Sequence, residues 1–320
     1  MTKKILIVGC GNIGSRHLQA LTKLSSNITV DLVEPNKESQ NLTKSRLKEV
    51  KLDKINKLVW HDSIDESISK SDLTIVSTPS VGRADLILKL LENGHSRFLI
   101  EKIVCQSTKE YELLNSKFHE FNAKGWINAN RRYVKPYHQL KNLINSESFH
   151  MYVIAGDVGL GSNAYHFVDL FSWLSNDDYV SINGDMLEKK ITRSKRGNQL
   201  LEFSGTITCK NKKSSLIISF LPSLNIPVTI GFVINNNHII INETEKRILN
   251  VTGDFSLSDN FENSNVSNST TEIVKSILSE DNCDLPTLDF GFYAHNELFN
   301  IFNKHILLCT GKESKLCPIS

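Results

Sequence analysis

Residues 9–14 read Gly-Cys-Gly-Asn-Ile-Gly and follow directly on the apolar run Ile5-Leu-Ile-Val8. A strand that runs into three glycines at this spacing and then into an amphipathic stretch describes the first turn of a βαβ unit. Gly9 permits the tight reversal, Gly11 leaves room over the backbone N–H groups, and Gly14 lets helix and strand approach. Such a loop accepts a diphosphate, because free N–H groups and the positive end of the helix dipole face it. Glu34 ends the next apolar run, 20 residues beyond Gly14. There its carboxylate would accept hydrogen bonds from adenosine ribose hydroxyls and repel a 2′-phosphate. NAD is therefore the expected cofactor, with NADP left open by the nearby Lys37.

Up to about residue 124, short β-branched runs alternate with longer amphipathic ones, the pattern of a parallel sheet with crossover helices. Strands are expected at 4–8, 30–34, 58–60, 73–77, 98–100 and 126–129. The clearest helix is 81–92, where Ala84, Ile87, Leu88 and Leu91 fall at helical spacing and Asn93-Gly94 supplies the stop. A helix over 133–145 leads out of this region, and a helix over 164–174 carries Phe167, Leu170, Phe171 and Leu174 on one face. Strands at 180–191, 200–210, 214–221, 228–235 and 238–243 then read as an antiparallel sheet. Helices return at 270–278 and 290–306, and the Ser- and Asn-rich stretch 256–271 reads as a surface loop.

The fold class is thus an α/β Rossmann domain with a parallel sheet, residues 1–124, followed by an α+β domain with an open, mostly antiparallel sheet, residues 125–320. The C-terminal helices are free to pack back on the first domain.

Charge narrows the partners. With 37 Lys+Arg against 35 Asp+Glu the chain carries +2, too little to hold nucleic acid or a membrane surface. Basic clusters at Lys189, Lys190, Arg193, Lys195 and Arg196, and at Lys210, Lys212 and Lys213, fall where hairpin ends are expected and read as solvated turns. Their functional reading is contact with an anionic extension of a substrate. The six cysteines form no CxxC pair and no zinc spacing, so no metal site is expected. The apolar start is too short for a secretory segment, which points to the cytoplasm. Residues 216–234 approach membrane length, but Pro222, Asn225 and Pro227 divide them into two strands.

The wider string from Gly9 to His17 is followed in order by Ser77-Thr78-Pro79, Glu101-Lys102, Asn130-Arg131-Arg132-Tyr133, and His166 with Asp169. This succession resembles the Gfo/Idh/MocA family, the relatives of glucose–fructose oxidoreductase and inositol dehydrogenase. The resemblance implies a nicotinamide cofactor on the first domain and a sugar, cyclitol or derivative as substrate. It implies hydride transfer between the nicotinamide and a carbon bearing a hydroxyl or carbonyl, and assembly into homodimers or homotetramers. It assigns Gly9, Gly11, Asn12, Ile13, Gly14, Glu34, Ser77, Thr78, Pro79, Glu101, Lys102 and Asn130 to the cofactor. To the substrate it assigns Arg131, Tyr133, Asn163, Tyr165 and Asp169.

Oxidation of an alcohol also removes the hydroxyl proton, so a base must reach that oxygen. The two candidates are Lys102, after a strand at the carboxyl edge of the sheet, and His166, whose imidazole titrates near working pH. Three positions depart from the family. Ser162 stands where relatives carry an Asp four residues before the histidine. Ile103 replaces the proline after the lysine, so a trans peptide is expected there. Arg83 replaces a common histidine and reads either as a solvated helix-start residue or as a cation facing an anionic substrate group. These departures keep two further readings open: a dinucleotide-binding sensor or partner subunit without turnover, and a reductase of a non-sugar acceptor on the same fold.

Overall fold

The computed structural model describes residues 2–65, 68–156, 158–222, 224–258, 261 and 266–320. In chain order the elements begin β1 (Lys3–Val8), α1 (Gly14–Leu21), β2 (Ile28–Val33), α2 (Lys37–Leu47), β3 (Ile55–His61) and β4 (Leu73–Val76). They continue through α3 (Arg83–Glu92), β5 (Arg97–Ile100), α4 (Thr108–Glu120) and β6 (Lys124–Ile127) to a 3-10 turn at Asn130–Tyr133. Next come α5 (Lys135–Ile144), β7 (His150–Gly156) and α6 (Leu160–Ser175). Eight strands follow: β8 (Ser181–Leu187), β9 (Thr192–Ser194), β10 (Gly197–Glu202), β11 (Gly205–Lys210), β12 (Ser215–Leu221), β13 (Thr229–Ile234), β14 (Asn237–Asn242) and β15 (Arg247–Thr252). The chain closes with α7 (Val266–Glu280) and α8 (Leu288–Thr310). None of the helices among the described residues is long and apolar enough to cross a membrane.

The chain divides into two compact units. The first comprises Met1–Cys105, Lys109–Tyr133 and Glu262–Asp289. Its six parallel strands run in the order β3-β2-β1-β4-β5-β6. Strand order reverses between β1 and β4, and in open α/β sheets ligands bind at the carboxyl ends beside that switch point. The central strands are largely apolar because helices cover both faces: Ile5, Ile7, Val30, Leu32, Leu73 and Ile75 are buried together with Leu18 and Leu21 of α1. Ile273, Val274 and Ile277 of α7 join that core. The sheet thus extends past residue 124, and a late segment returns to the first unit. Next to α7, Ile127 N–H donates to Pro286 O (2.9 Å) and Trp126 bridges Thr287, which covers the β6 edge.

The second unit comprises Gln106–Thr108, Val134–Phe261 and Phe290–Ser320. Its seven-stranded sheet has the order β15-β14-β13-β7-β12-β11-β8, antiparallel except for the β7–β12 pair. One face is buried, with Phe149 on Phe171 and Phe167 on Phe220 at ring-centroid distances of 5.5 and 6.0 Å. The other face leaves Ile154, Ile217, Val233, Leu249 and Val251 exposed among polar neighbours.

Several expectations change. Strands β7 and β15 lie where none is expected. The expected strand 180–191 ends as β8 at Leu187 with β9 lying just beyond it, and 200–210 divides at Phe203-Ser204 into β10, which pairs with β9, and β11, which enters the large sheet. Of the expected loop 256–271, residues 259, 260 and 262–265 lie outside the described residues, and α7 already begins at Val266.

Candidate active site

At the carboxyl end of β1 the glycine loop has the shape its spacing requires. Gly9 takes a φ of +87°, and its N–H donates to Val33 O (2.9 Å) while its carbonyl accepts from Ser77 Oγ (2.6 Å). A Cβ on Gly14 would collide with the Gly9 carbonyl and come within 2.7 Å of Ser77 Oγ, so only glycine closes this turn. A Cβ on Gly11, by contrast, would find only Ser39 Oγ, at 3.8 Å. The backbone at Gly11 is open, as a diphosphate seat must be. Ile13 beside it is exposed, and Asn12 is held by Arg46 of α2, which donates to Asn12 O (2.7 Å) and Asn12 Oδ1 (3.1 Å).

Glu34 is buried with both carboxylate oxygens on backbone: Cys10 N–H donates to Oε2 (2.7 Å) and Asn36 N–H to Oε1 (2.9 Å). This fixes an anion at the end of β2, and burial together with that anion pushes the Cys10 thiol far up. Lys37 does not cancel it, because its ammonium is directed to Asp62 (3.2 Å) and Gln40 (3.4 Å).

The loops after β4 and β5 are joined by Arg83. Its guanidinium is 2% exposed and donates to the carbonyls of Thr78, Glu101 and Ile103. Burial pulls it down to about 10, against the raising influence of Glu101. Arg83 is therefore neither solvated nor a ligand-facing cation; it is an internal tie between two loops. The Lys102-Ile103 peptide it brackets is cis, not trans as expected for a non-proline residue. Arg83 holds the carbonyls of Glu101 and Ile103, on either side of that peptide. Lys102 itself is buried at this loop, and Pro79 is exposed across from it on the loop after β4. The Thr78 hydroxyl is buried with no partner among the described residues.

Glu101, expected at the cofactor, has its carboxylate turned to the protein. His17 Nε2 lies 3.0 Å from Oε1, Asn128 Nδ2 donates to the same oxygen, and His17 Nδ1 is 2.8 Å from Thr270 Oγ1 of α7. Burial raises this carboxyl, but the bonds from His17 and Asn128 and the charge of Arg83 bring it to a net position below its usual value. Asn130 and Arg131 sit half-buried in the 3-10 turn. Tyr133, expected at the substrate, accepts from Asp284 N–H (3.2 Å), and burial pushes its hydroxyl far up.

In the second unit the candidates lie on α6. Asn163 Nδ2 donates to Gly159 O (2.9 Å), Tyr165 is buried with its ring on His295 (4.2 Å between centroids), and Asp169 is buried. His166 is half-buried. Ser162 donates through its hydroxyl and its N–H to the carboxylate of Glu202 on β10. The basic hairpin around β9 is exposed at Lys189, Lys190, Arg193, Lys195 and Arg196, as solvated turns are. Asn128, Thr270, Arg46 and Glu202 carry no sequence motif. Only their placement in the fold shows their parts.

Residues 3–120 match the profile of the Gfo/Idh/MocA family, described as an oxidoreductase family with an NAD-binding Rossmann fold. No curated protein matches the chain. Among solved structures, an oxidoreductase from Agrobacterium radiobacter in complex with NAD+, L-tartaric acid and magnesium is 11% identical with a TM-score of 0.71, covering 98% of each chain. The WlbA dehydrogenase from Bordetella pertussis in complex with NADH and UDP-GlcNAcA is 12% identical with a TM-score of 0.67, covering 95% of each chain. The scyllo-inositol dehydrogenase from Lactobacillus casei with bound NAD(H) and scyllo-inositol is 16% identical with a TM-score of 0.62, covering 92% of this chain and 94% of that one. At these identities the three establish a shared fold over nearly the whole length. Residues 3–120 are thus similar to the NAD-binding Rossmann domain of the Gfo/Idh/MocA oxidoreductases, and the chain shares the fold of these structures.

Proposed function

We propose that the protein is an NAD-dependent oxidoreductase acting at a secondary hydroxyl or carbonyl of a sugar, nucleotide sugar or sugar acid. The observation that carries this reading is the glycine loop: open at Gly11, closed at Gly9 and Gly14, and anchored to a buried carboxylate on Glu34. Those residues fit a dinucleotide, with its diphosphate on the Gly11–Gly14 backbone and its adenosine ribose at Glu34. The buried carboxylate of Glu34, which repels a 2′-phosphate, favours NAD over NADP. Bound there, the nicotinamide supplies hydride transfer.

The chain's own residues do the rest. Ser77, Thr78, Pro79 and Asn130 shape the sheet edge on the nicotinamide side, and Arg83 holds the Lys102 loop to it. Lys102 and His166 are assigned the proton of the reacting oxygen: one hydrogen-bonds it while the other accepts or returns the proton. Arg131, Asn163 and Asp169 are assigned to substrate hydroxyls or carboxylates. The polar ligands in the related structures, a tartrate, a nucleotide sugar acid and an inositol, support this substrate class.

A second copy of the chain covers the open sheet face with Ile154, Ile217 and Val233, as an uncovered apolar sheet requires. The absence of any disulfide among the described cysteines supports a cytoplasmic setting. Screening sugar acids, nucleotide sugars and cyclitols with NAD tests the proposal. A substrate whose turnover vanishes in Lys102→Met supports it, and turnover unchanged in that variant contradicts it.

A further inference from the structure

The helix that carries His166 starts without a side-chain cap, since its N-cap residue is Gly159. Two of its first-turn N–H groups nevertheless have partners, both from the chain around the end of β10. Leu160 N–H donates to Phe203 O (2.9 Å) and Ser162 N–H to Glu202 Oε2 (3.1 Å). The same carboxylate accepts the Ser162 hydroxyl and the Ser194 hydroxyl (3.2 Å) on Oε1. The backbone makes way for it: a Cβ on Gly159 would collide with the carboxylate, and one on Gly161 would come within 2.6 Å of Leu201 O and 3.1 Å of Glu202 Oε2. An anion with three donors at a helix N-terminus is doubly favoured, by the bonds and by the dipole. Ser162 and His166 are four residues apart on α6 and so lie on one face of the helix, a turn from each other.

We propose that Glu202, acting through Ser162, is the positioning carboxylate of His166. It fixes the first turns of α6 and places a negative charge one turn from the imidazole, supplied by a neighbouring strand and not by the helix itself. The inference rests on the reading of His166 as a proton-handling group. The charge favours imidazolium, so His166 is a stronger base than it would be on a helix capped by neutral groups. Other titratable and charged groups near this part of α6 include Lys135, Tyr137, His138 and Lys141 of α5, Tyr293, His295 and Glu297 of α8, Lys195 and Arg196 of the β9–β10 turn, and the Ser320 carboxylate, to which Arg196 donates (3.1 Å), with Tyr165 and Asp169 on α6 itself. Lys141 is tied to the far end of the helix through Trp173 O and Asn176.

The test is a pH titration of the ring nitrogens in the full-length protein labelled with 15N-histidine, His166 being assigned from the spectrum of His166→Gln. Glu202→Gln lowers the His166 midpoint by about one pH unit and leaves NADH affinity unchanged. Adding Ser162→Asp to Glu202→Gln returns the carboxylate to the helix start and restores the midpoint. Should Glu202→Gln alone not fold, the double variant still decides: a wild-type midpoint supports the proposal and a lowered one overturns it. A midpoint unmoved in folded Glu202→Gln, or moved and not restored by Ser162→Asp, also overturns it. Failure of the functional reading is separate, since it shows as absent NADH binding whatever the His166 midpoint does.

Discussion

Arg83→Met separates an internal tie from a substrate ligand. The substitution keeps the length of the stem and deletes the guanidinium, so the carbonyls of Thr78, Glu101 and Ile103 lose their donor. Hydrogen bonds from a charged donor contribute about 1.5 to 3 kcal/mol each, so three give about 4 to 9 kcal/mol. Part of this is offset because a buried cation is also removed. Its desolvation shows in the displacement from 12.5 to about 10, which returns roughly 3 kcal/mol at about 1.4 kcal/mol per pH unit. The net loss is centred near about 3 kcal/mol, which lowers the Tm by about 6 to 12 °C for a unit of this size. Thermal melting followed by circular dichroism measures the loss, and NADH fluorescence measures the second effect, an affinity weakened about tenfold or more as both loops relax. Arg83→Lys falls between, because a point ammonium cannot fork to three carbonyls. A variant Arg83→Met that melts within about 2 °C of wild type and binds NADH equally well refutes the tie. If it also raised only a substrate KM, Arg83 would be a ligand after all.

Gly14→Ala drives a Cβ into the Gly9 carbonyl, so NADH binding disappears and the first unit loses about 2 to 4 kcal/mol by overpacking and strain, read by titration and by melting. Lys102→Met is expected to retain NADH binding while kcat falls about 10²- to 10⁴-fold on the substrate found by screening; equal losses in binding would assign Lys102 to the cofactor alone. A pH effect is expected at His95, which lies against Ser71 (2.9 Å) and Thr74 (3.1 Å) and is pushed down to about 4 by burial, with Lys4 and Lys70 adding to it. The unfolded chain takes up this proton near pH 6.5 and the folded one only near 4. Stability is therefore complete above about pH 6.5 and falls by about 1.4 kcal/mol per unit as pH drops from there toward 4. His95→Gln flattens that slope in urea titrations taken at stepped pH, and an unchanged slope contradicts the assignment.

What the sequence made legible follows from how local each signal is. The parallel sheet was plain because its strands are buried on both faces, so runs such as Ile5-Leu-Ile-Val8 and Leu73-Thr-Ile-Val76 stand out against polar helices. The glycine loop and Glu34 were plain because a turn, a close approach and an anion are each made by one residue type at one spacing. Strand β7 was missed although it is the middle strand of the second sheet. Its alternation of His150, Tyr152 and Ile154 on one face with Met151, Val153 and Ala155 on the other carries neither turn residues nor a polar period. The division between β10 and β11 was missed for a similar reason, since only Phe203-Ser204 separates the two strands and no run of turn residues marks the change of sheet. In the site, side chains with long-range partners misled. Arg83 read as solvated or ligand-facing because nothing local shows three carbonyls converging on it from two other loops. Glu101 read as cofactor-facing because its hydrogen-bond partners, His17 and Asn128, come from 84 residues earlier and 27 later. Glu202 had no signal at all until β10 was seen beside the start of α6.

The account turns on a dinucleotide seated on the Gly9–Gly14 loop against the anion of Glu34. Titrating the purified protein with NADH and with NADPH, followed by energy transfer from tryptophan, tests this most directly. The expected result is saturable NADH binding, NADPH weaker by at least about tenfold, and a gap that closes in Glu34→Gln. Binding of neither dinucleotide, or NADPH preferred in the wild type, would contradict it.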